Sequence, residues 1–444
     1  MRGLTSRLPL LLLLVLPLDS AFPAEYQENE DIAAESAEES AAGLRNLSTD
    51  LSRPRRRLLR DALSERSPFW EDSELELNLR LYDFERENGE EVISEALAIG
   101  TELTFRSGQW KDVLSAVLSW HTSNGIDAPD DKPGSGILAP GQEDISVVSR
   151  AYLDAQVSDK TSLRLYRQDF NMPYINRNDN RMIPNTHEAY ALHHEGGQFR
   201  YMLGHITKMK TKDSEDFVSM AEVAGAESGD SGTSVAFTGY KFDEHSGLGA
   251  LAHHTSNLFA SSYLEATLGR TLNKNWGTQL AAQLTNQWSV GNEKLGDFDT
   301  YAWGLRGRIS YQGTILTAAY TDIGSAAIQR PYGGTPGFSS SMLYQFDRAR
   351  EEGYRLGLSH NFARIGYPGI GLIVNYTEGR GAQSSDGMPL PDAEEINITL
   401  DFRPERGLLK GLWLRLRYAD ADRGSPEADR RDLRLILNYS LGAL

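Results

Sequence analysis

The chain has 444 residues, with 45 Lys and Arg against 62 Asp and Glu for a formal charge of −17, and it has no cysteine. Without a thiol there is no disulfide framework, thiolate metal site or cysteine nucleophile. The acidic balance, with no basic face outside Arg53 to Arg66, gives no reason to expect nucleic-acid binding. A hydrophobic content of 40% suits a soluble periplasmic domain or a membrane barrel equally, because a barrel wall alternates lipid-facing and water-facing positions.

The chain begins with Arg2 and Arg7, then the apolar run Leu8 to Leu18, then the small-residue stretch Ser20-Ala21-Phe22-Pro23-Ala24. This order of charged, apolar and small segments is that of a secretory signal peptide, so residues 1–24 are expected to be one, with cleavage after Ala21 or Ala24. A spanning helix needs roughly 18 or more apolar residues in a row, and no later segment supplies them. Residues 25–68 are first acidic and rich in Ala, Ser and Glu, then basic at Arg53, Arg55, Arg56, Arg57, Arg60 and Arg66. Blocks of like charge with few aromatics do not build a core, so this segment reads as a charged, flexible periplasmic extension.

From residue 69 to 444 the apolar residues fall in step of two. In Glu74 to Tyr82, Leu75, Leu77, Leu79 and Leu81 share one face, while Glu76, Asn78, Arg80 and Tyr82 share the other. The alternation returns at Leu97–Phe105, Val147–Val157, Tyr301–Tyr311, Ile396–Phe402, Leu412–Tyr418 and Leu433–Tyr439. Tight turns are expected at Ser107-Gly108-Gln109, Ser158-Asp159-Lys160, Glu195-Gly196-Gly197, Asp243–Gly247, Asn273–Gly277 and Gln312-Gly313. Longer Gly/Pro/Asp/Ser-rich links lie between them, near 123–144, 170–185, 211–231, 324–351 and 380–392. The predicted fold is an all-β, transmembrane antiparallel barrel of about eighteen strands, with short periplasmic turns and long extracellular loops. Trp70, Tyr82, Phe84, Phe105, Trp110, Trp120, Tyr311 and Tyr418 fall near strand ends, where rings would sit at lipid headgroups.

Several stretches resemble the OprD-type outer-membrane porin family. They are Arg167-Gln168-Asp169-Phe170 through Asn176–Thr186, Asp216–Met220 with Ala224-Gly225, Phe346-Asp347-Arg348-Ala349, Gly366–Ile370, and the closing Leu409–Ala419 with Arg434–Tyr439. The likeness runs in order over roughly residues 70 to 440. It implies an eighteen-stranded barrel in the bacterial outer membrane, loops folded into the lumen, a basic ladder along the pore, and uptake of small solutes that usually carry a carboxylate. The acidic extension and a last strand running to Leu444 without a terminal aromatic depart from the family pattern.

If the apolar faces look at lipid, the opposite faces place Arg80, Arg106, Arg150, Arg164, Arg200, Arg306, Arg308, Arg355, Arg403, Arg415, Arg417 and Arg434 in the lumen. The candidate substrate pathway is Arg150, Arg164, Arg306, Arg308, Arg355, Arg415, Arg417 and Arg434. Residues two apart on a strand stand about 7 Å from one another, and guanidinium stays charged while pairing carboxylates with two hydrogen bonds. The plainer alternative is that these arginines pair with Glu76, Asp154, Asp401 or Asp432 and brace the wall. The loop Asn171–Asn185 carries Asp179 and Arg181 and resembles the family's constriction loop, where opposed charges would sort solutes. Gly324–Glu351, with Ser339-Ser340-Ser341, resembles a second inward loop.

The expected function is a passive, substrate-preferring porin for small polar solutes such as amino acids or organic acids, with no cofactor, no metal and no catalysis. Its partners would be small solutes, outer-membrane lipid and the barrel-assembly machinery, and it would be a monomer or a trimer. Two other readings stay open: a plugged barrel that tethers the envelope through 25–68, and a serine hydrolase at Gly229-Asp230-Ser231-Gly232. The second lacks an Ala-Ala-His-Cys-like segment, and a Gly/Asp/Ser turn explains those residues. His193-His194 and His253-His254 are strand neighbours that point to opposite faces, so neither pair chelates one metal and both are expected as wall residues.

Overall fold

A computed structural model describes residues 68–442 except 90, 227–228, 230, 405, 407–408 and 426–427. The expected leader and nearly all of the 25–68 extension lie outside the described residues. A single helical turn, α1 (Pro68–Glu71), leads into β1 (Glu74–Asn88), β2 (Glu91–Arg106), β3 (Leu114–Asp127), β4 (Ile145–Ser158), β5 (Thr161–Gln168), β6 (Thr186–Gly196) and β7 (Phe199–Lys210). A two-residue strip, β8 (Val218–Ser219), and a one-turn α2 (Met220–Val223) interrupt the next link. The wall continues with β9 (Thr233–Asp243), β10 (Ser246–Thr255), β11 (Phe259–Asn273), β12 (Trp276–Ser289), β13 (Asp299–Tyr311) and β14 (Thr314–Ile323). It ends with β15 (Glu352–Asn361), β16 (Ile370–Arg380), β17 (Ala393–Phe402), β18 (Leu412–Asp422) and β19 (Arg430–Gly442).

Every pairing is antiparallel and joins sequence neighbours, except that β7 pairs with β9 past the short β8 and β1 also pairs with β19, from Glu76↔Gly442 to Glu87↔Arg431. Setting aside β8, eighteen strands close into one barrel, and closure leaves no unpaired edge. No helix among the described residues is long and apolar enough to cross a membrane. The strands do the crossing. On β13, Tyr301, Trp303, Leu305, Ile309 and Tyr311 are exposed on the outer face, while Ala302 between them is buried inward. The period-two reading of the sequence therefore has the wall the right way out.

One rim carries the tight turns 159–160, 197–198, 244–245, 274–275 and 312–313. The expected turn at 107–109 is longer: the chain runs free from 107 to 113, with a bridge between Trp110 and Leu114. The reason lies in α1, whose Phe69 carbonyl accepts from the Gly108 amide at 2.9 Å and whose Trp70 packs on Phe105. The opposite rim carries the long connections 128–144, 169–185, 211–232 and 324–351, beside short ones at 89–90 and 256–258.

The core is inside the lumen rather than between two sheets. Phe170, Met172, Tyr174, Ile175, Ile328 and Tyr332, all from connections, pack on wall residues such as Ala189, Leu251 and Tyr263. A second cluster joins Met182, Ile183 and Ile137 to Tyr82, Phe84, Ala96 and Ala98. Each fully buried large apolar side chain contributes about 1.5–3 kcal/mol, enough to hold a loop against the wall. This corrects one expectation. Tyr82 and Phe84 are not headgroup aromatics; they are 1% and 0% exposed and lie on the inward face with Arg80. Trp70, Trp110, Trp120 and Tyr311 are exposed, as rim residues should be.

Candidate functional site

The connections 169–185 and 324–351 fold into the lumen and lock together. Ile175 forms a bridge with Gly333, and the Asn176 amide donates to the Tyr332 carbonyl at 3.0 Å. Gly333 sits at φ +93°, and a side chain at Gly334 would collide with the Tyr174 backbone, so the contact depends on this glycine pair. Tyr174 donates to or accepts from Thr285 on β12 at 2.8 Å, and burial pushes its phenol pKa up. The 324–351 connection is pinned to β17 by Glu395, whose carboxylate accepts from the amides of Leu343 at 3.0 Å and Tyr344 at 2.9 Å.

Where the 169–185 connection meets β1–β4, opposite charges alternate. Asp179 accepts from Arg80 at 2.8 Å and from Arg177 at 2.9 Å. Arg177 lies 3.3 Å from Asp169, Asp169 lies 3.8 Å from Arg150, and Arg150 pairs with Glu102. Burial alone would raise the Asp179 pKa, but Arg80 and Arg177 reverse that and hold it at about 2. Burial likewise opposes the charge on Arg177, and Asp179 and Asp169 override it, so its pKa is raised. Three carboxylates and three guanidiniums thus neutralise one another along this seam.

A cavity of about 260 Å³ opens on the β15–β19 side, between the wall and the two inward connections. Arg86, Arg355, Arg417 and Arg434 line it from the wall, and Arg181, Lys212 and Arg330 from the connections. Among the described residues no carboxylate lines it. The register sets Arg417 directly opposite Arg434 on neighbouring strands. Asp432, fully buried, serves two of the cations, accepting from Arg86 at 2.6 Å and from Arg434 at 2.8 Å. Arg355 donates to the Ser340 carbonyl, Arg417 to Thr399 at 3.3 Å, and Lys212 to Asn180 at 3.1 Å. Arg181 donates to the Ser135 carbonyl at 2.8 Å. Burial, then the nearby charge of Arg434, lowers the Arg181 pKa to about 10, which leaves it charged at neutral pH.

Comparison with known proteins fits this geometry. Residues 67–443 match the family model described as outer membrane porin, OprD family. The chain belongs to the OprD family of outer-membrane porins. Among solved structures, Pseudomonas aeruginosa OccK9 (OpdG) superposes with a TM-score of 0.77 at 23% identity, covering 84% of this chain and 100% of that one. Pseudomonas aeruginosa OpdK with vanillate gives 0.75 at 20% identity, over 84% and 99% of the two chains. A BenF-like porin from Pseudomonas fluorescens gives 0.76 at 17%, over 84% and 100%. These likenesses establish the fold. None of the curated proteins compared matches the sequence. The porin's place is therefore the bacterial outer membrane, and its family is one of channels.

The structure divides the arginines of the sequence-predicted pathway into two groups. Arg355, Arg417 and Arg434 line the cavity of the porin, as does Arg181 from the expected constriction loop. The others lie outside its lining. Arg164 pairs with Asp154 at 2.7 Å, Arg415 with Asp401 at 2.8 Å, and Arg150 with Glu102. Arg306 lies over the Phe338 ring at 4.2 Å and 3.7 Å from Glu265, and Arg308 donates to Gln279 at 3.3 Å. Asp179 turns to Arg80 and Arg177, away from its near neighbour Arg181. Each acid expected as a brace has an arginine: Glu76 has Arg106, Asp154 Arg164, Asp401 Arg415 and Asp432 Arg434.

Arg86, Lys212 and Arg330 were not in the expected set. Arg86 shares the parity of Arg80, and extending the first strand beyond Tyr82 would have found it. Lys212 and Arg330 sit in connections, where no periodicity assigns a face. Of the serines, Ser341 lines the cavity and also hydrogen-bonds Thr377 at 2.7 Å. Ser231 lies half-buried on the 211–232 connection, and Asp230 falls outside the described residues. His253 faces inward and His254 outward, as strand neighbours must. Among the described residues no group of three His, Asp or Glu could hold a metal ion.

Proposed function

We propose that this porin is a passive, anion-preferring channel for small polar solutes bearing carboxylate groups, with Arg181, Arg355, Arg417 and Arg434 on the solute path. The observation that carries this reading is the cavity between the inward connections and β15–β19, lined by seven cations and, among the described residues, no carboxylate. Focusing of cationic charge in a low-dielectric cleft raises the local concentration of anions. Guanidinium adds bidentate recognition of carboxylate without losing its charge. The structural relative OpdK is known with vanillate, which supports a carboxylate-bearing cargo here. The 169–185 connection, held to the wall through Asp179, would set the width of the path. Residues 1–24 would be removed as a signal peptide, and 25–68 would remain as a periplasmic extension.

The test is planar-bilayer recording of the refolded porin under a potassium chloride gradient. A reversal potential favouring chloride is expected. A potential favouring potassium, or a folded barrel that never conducts, would sink the reading.

A further inference from the structure

The cavity has a composition more specific than anion preference requires. Cations outnumber acids there: Arg417 and Arg434 are direct cross-strand partners whose like charges repel, and against the seven cations stand Asp432, paired with Arg86 and Arg434, and Asp347, paired with Arg330. Arg181 joins the same group, beside Arg434. Arg181, Arg355, Arg417 and Arg434 are all under 10% exposed, so bulk water screens their repulsion poorly. A solute with one negative group relieves part of this repulsion, and a solute with two or three relieves much more.

The remaining lining sharpens the class. Its polar side chains include Asn375, Asn397, Thr399 and Ser341, which offer both donors and acceptors and so match hydroxyl groups. No aromatic ring lines the cavity among the described residues. Phe84, whose ring lies 5.4 Å from Arg86, 5.0 Å from Arg181 and 5.7 Å from Arg434, is fully buried. The volume of about 260 Å³ lies just below the ~300–1,000 Å³ usual for drug-sized ligands, which fits a small solute.

We infer that this porin selects multiply anionic, hydroxylated small solutes, with two or more carboxylate or phosphate groups, over singly charged acids. The inference rests on the anion-preferring reading above and narrows it.

The experiment measures block of the chloride current through the full-length, refolded porin in planar bilayers at 0.1 M potassium chloride. Citrate, glucose 6-phosphate, lactate and benzoate are added in turn. Citrate or glucose 6-phosphate should halve the current at concentrations at least tenfold lower than lactate or benzoate require. The contrast between those two assigns the preferred anionic group to carboxylate or phosphate. Arg417→Gln should reduce the tenfold advantage to about threefold or less, and Lys212→Gln, on a connection rather than the wall, does the same if Arg417→Gln does not refold. Block by lactate or benzoate at concentrations as low as citrate overturns the inference while leaving a chloride-favouring reversal potential, and with it the broader reading, intact. A reversal potential favouring potassium removes both. An advantage unchanged in both variants also overturns it, because the cavity would not be its source.

Discussion

Two sides of the same lumen treat charge in opposite ways. Along the seam between the 169–185 connection and β1–β4, Arg80, Asp179, Arg177, Asp169, Arg150 and Glu102 alternate in sign. On the β15–β19 side, Arg355, Arg417, Arg434, Arg181, Arg330, Lys212 and Arg86 share one cavity. Both sides are rich in arginine, so residue type alone does not separate them. What separates them is the balance of signs: three carboxylates meet three guanidiniums along the seam, whereas Asp432 and Asp347 are the carboxylates paired to the seven cations of the cavity among the described residues. Alternation fastens a loop to a wall; accumulation of one sign leaves a site that is more stable once an anion enters. A barrel wall, with its backbone already satisfied strand to strand, can tolerate such a site at modest cost.

The seam should be the more fragile under mutation. Asp179→Ala leaves Arg80 and Arg177 without the carboxylate they share, and breaking a buried pair in this way costs roughly 3 kcal/mol, the low end of the usual range because both partners keep some contact with water. The loss should appear as a lower thermal unfolding temperature and as larger fluctuations of the open-channel current. Acid should imitate it. The folded-state pKa of Asp179, about 2, lies below the ordinary 3.8, so its contribution is whole above about pH 4 and drains as pH falls towards 2. Fluctuations that stay flat from pH 5 to pH 2 would show that Asp179 does not hold the loop.

Two further changes probe the other connection and the aromatic packing between the two. Glu395→Ala removes the acceptor of the Leu343 and Tyr344 amides and should cost about 2 kcal/mol, the scale of stranding buried donors that had a charged acceptor. Its distinctive sign would be a raised single-channel conductance as the 324–351 connection loosens; unchanged conductance would deny Glu395 the anchoring role. His253 is 3% exposed among Tyr174, Phe259 and Tyr332, and neither ring nitrogen has a hydrogen-bond partner among the described residues. His253→Phe keeps the ring and removes the polar atoms, so a gain of about 1 kcal/mol is expected in thermal unfolding. A loss would mean that the histidine makes a polar contact of its own.

The contrast between the sides was only half legible in the sequence. Strand parity gives each wall arginine its face, because a residue two along must look the same way. It therefore places Arg80, Arg150, Arg417 and Arg434 on the lumen face. Parity says nothing of partners, which arrive from elsewhere in the chain: Arg80 meets Asp179 across 99 positions, and Arg86 meets Asp432 across 346. It is also silent in connections, where Lys212 and Arg330 lie and where the family resemblance alone points to Arg181. Tyr82 and Phe84 show a different failure. Their parity with Arg80 was available, but their nearness to a strand end suggested the headgroup region. The inward fold of Met182 and Ile183 makes that level of the lumen apolar.

The smallest expected effect is the most direct test of the comparison, because it should have opposite signs for stability and for function. Arg417→Gln removes one of two guanidiniums set face to face across β18 and β19 and can keep a hydrogen bond to Thr399. Relief of a like-charge cross-strand pair is worth roughly 0.5 kcal/mol, so the variant should unfold at a slightly higher temperature than the parent. The same change should weaken anion preference, seen as a reversal potential closer to zero under a salt gradient. A site maintained for solute binding at the expense of packing predicts this trade. If Arg417→Gln instead lowered stability while leaving selectivity alone, Arg417 would be a brace like Arg415 with Asp401, and the two sides of the lumen would differ less than their charges suggest.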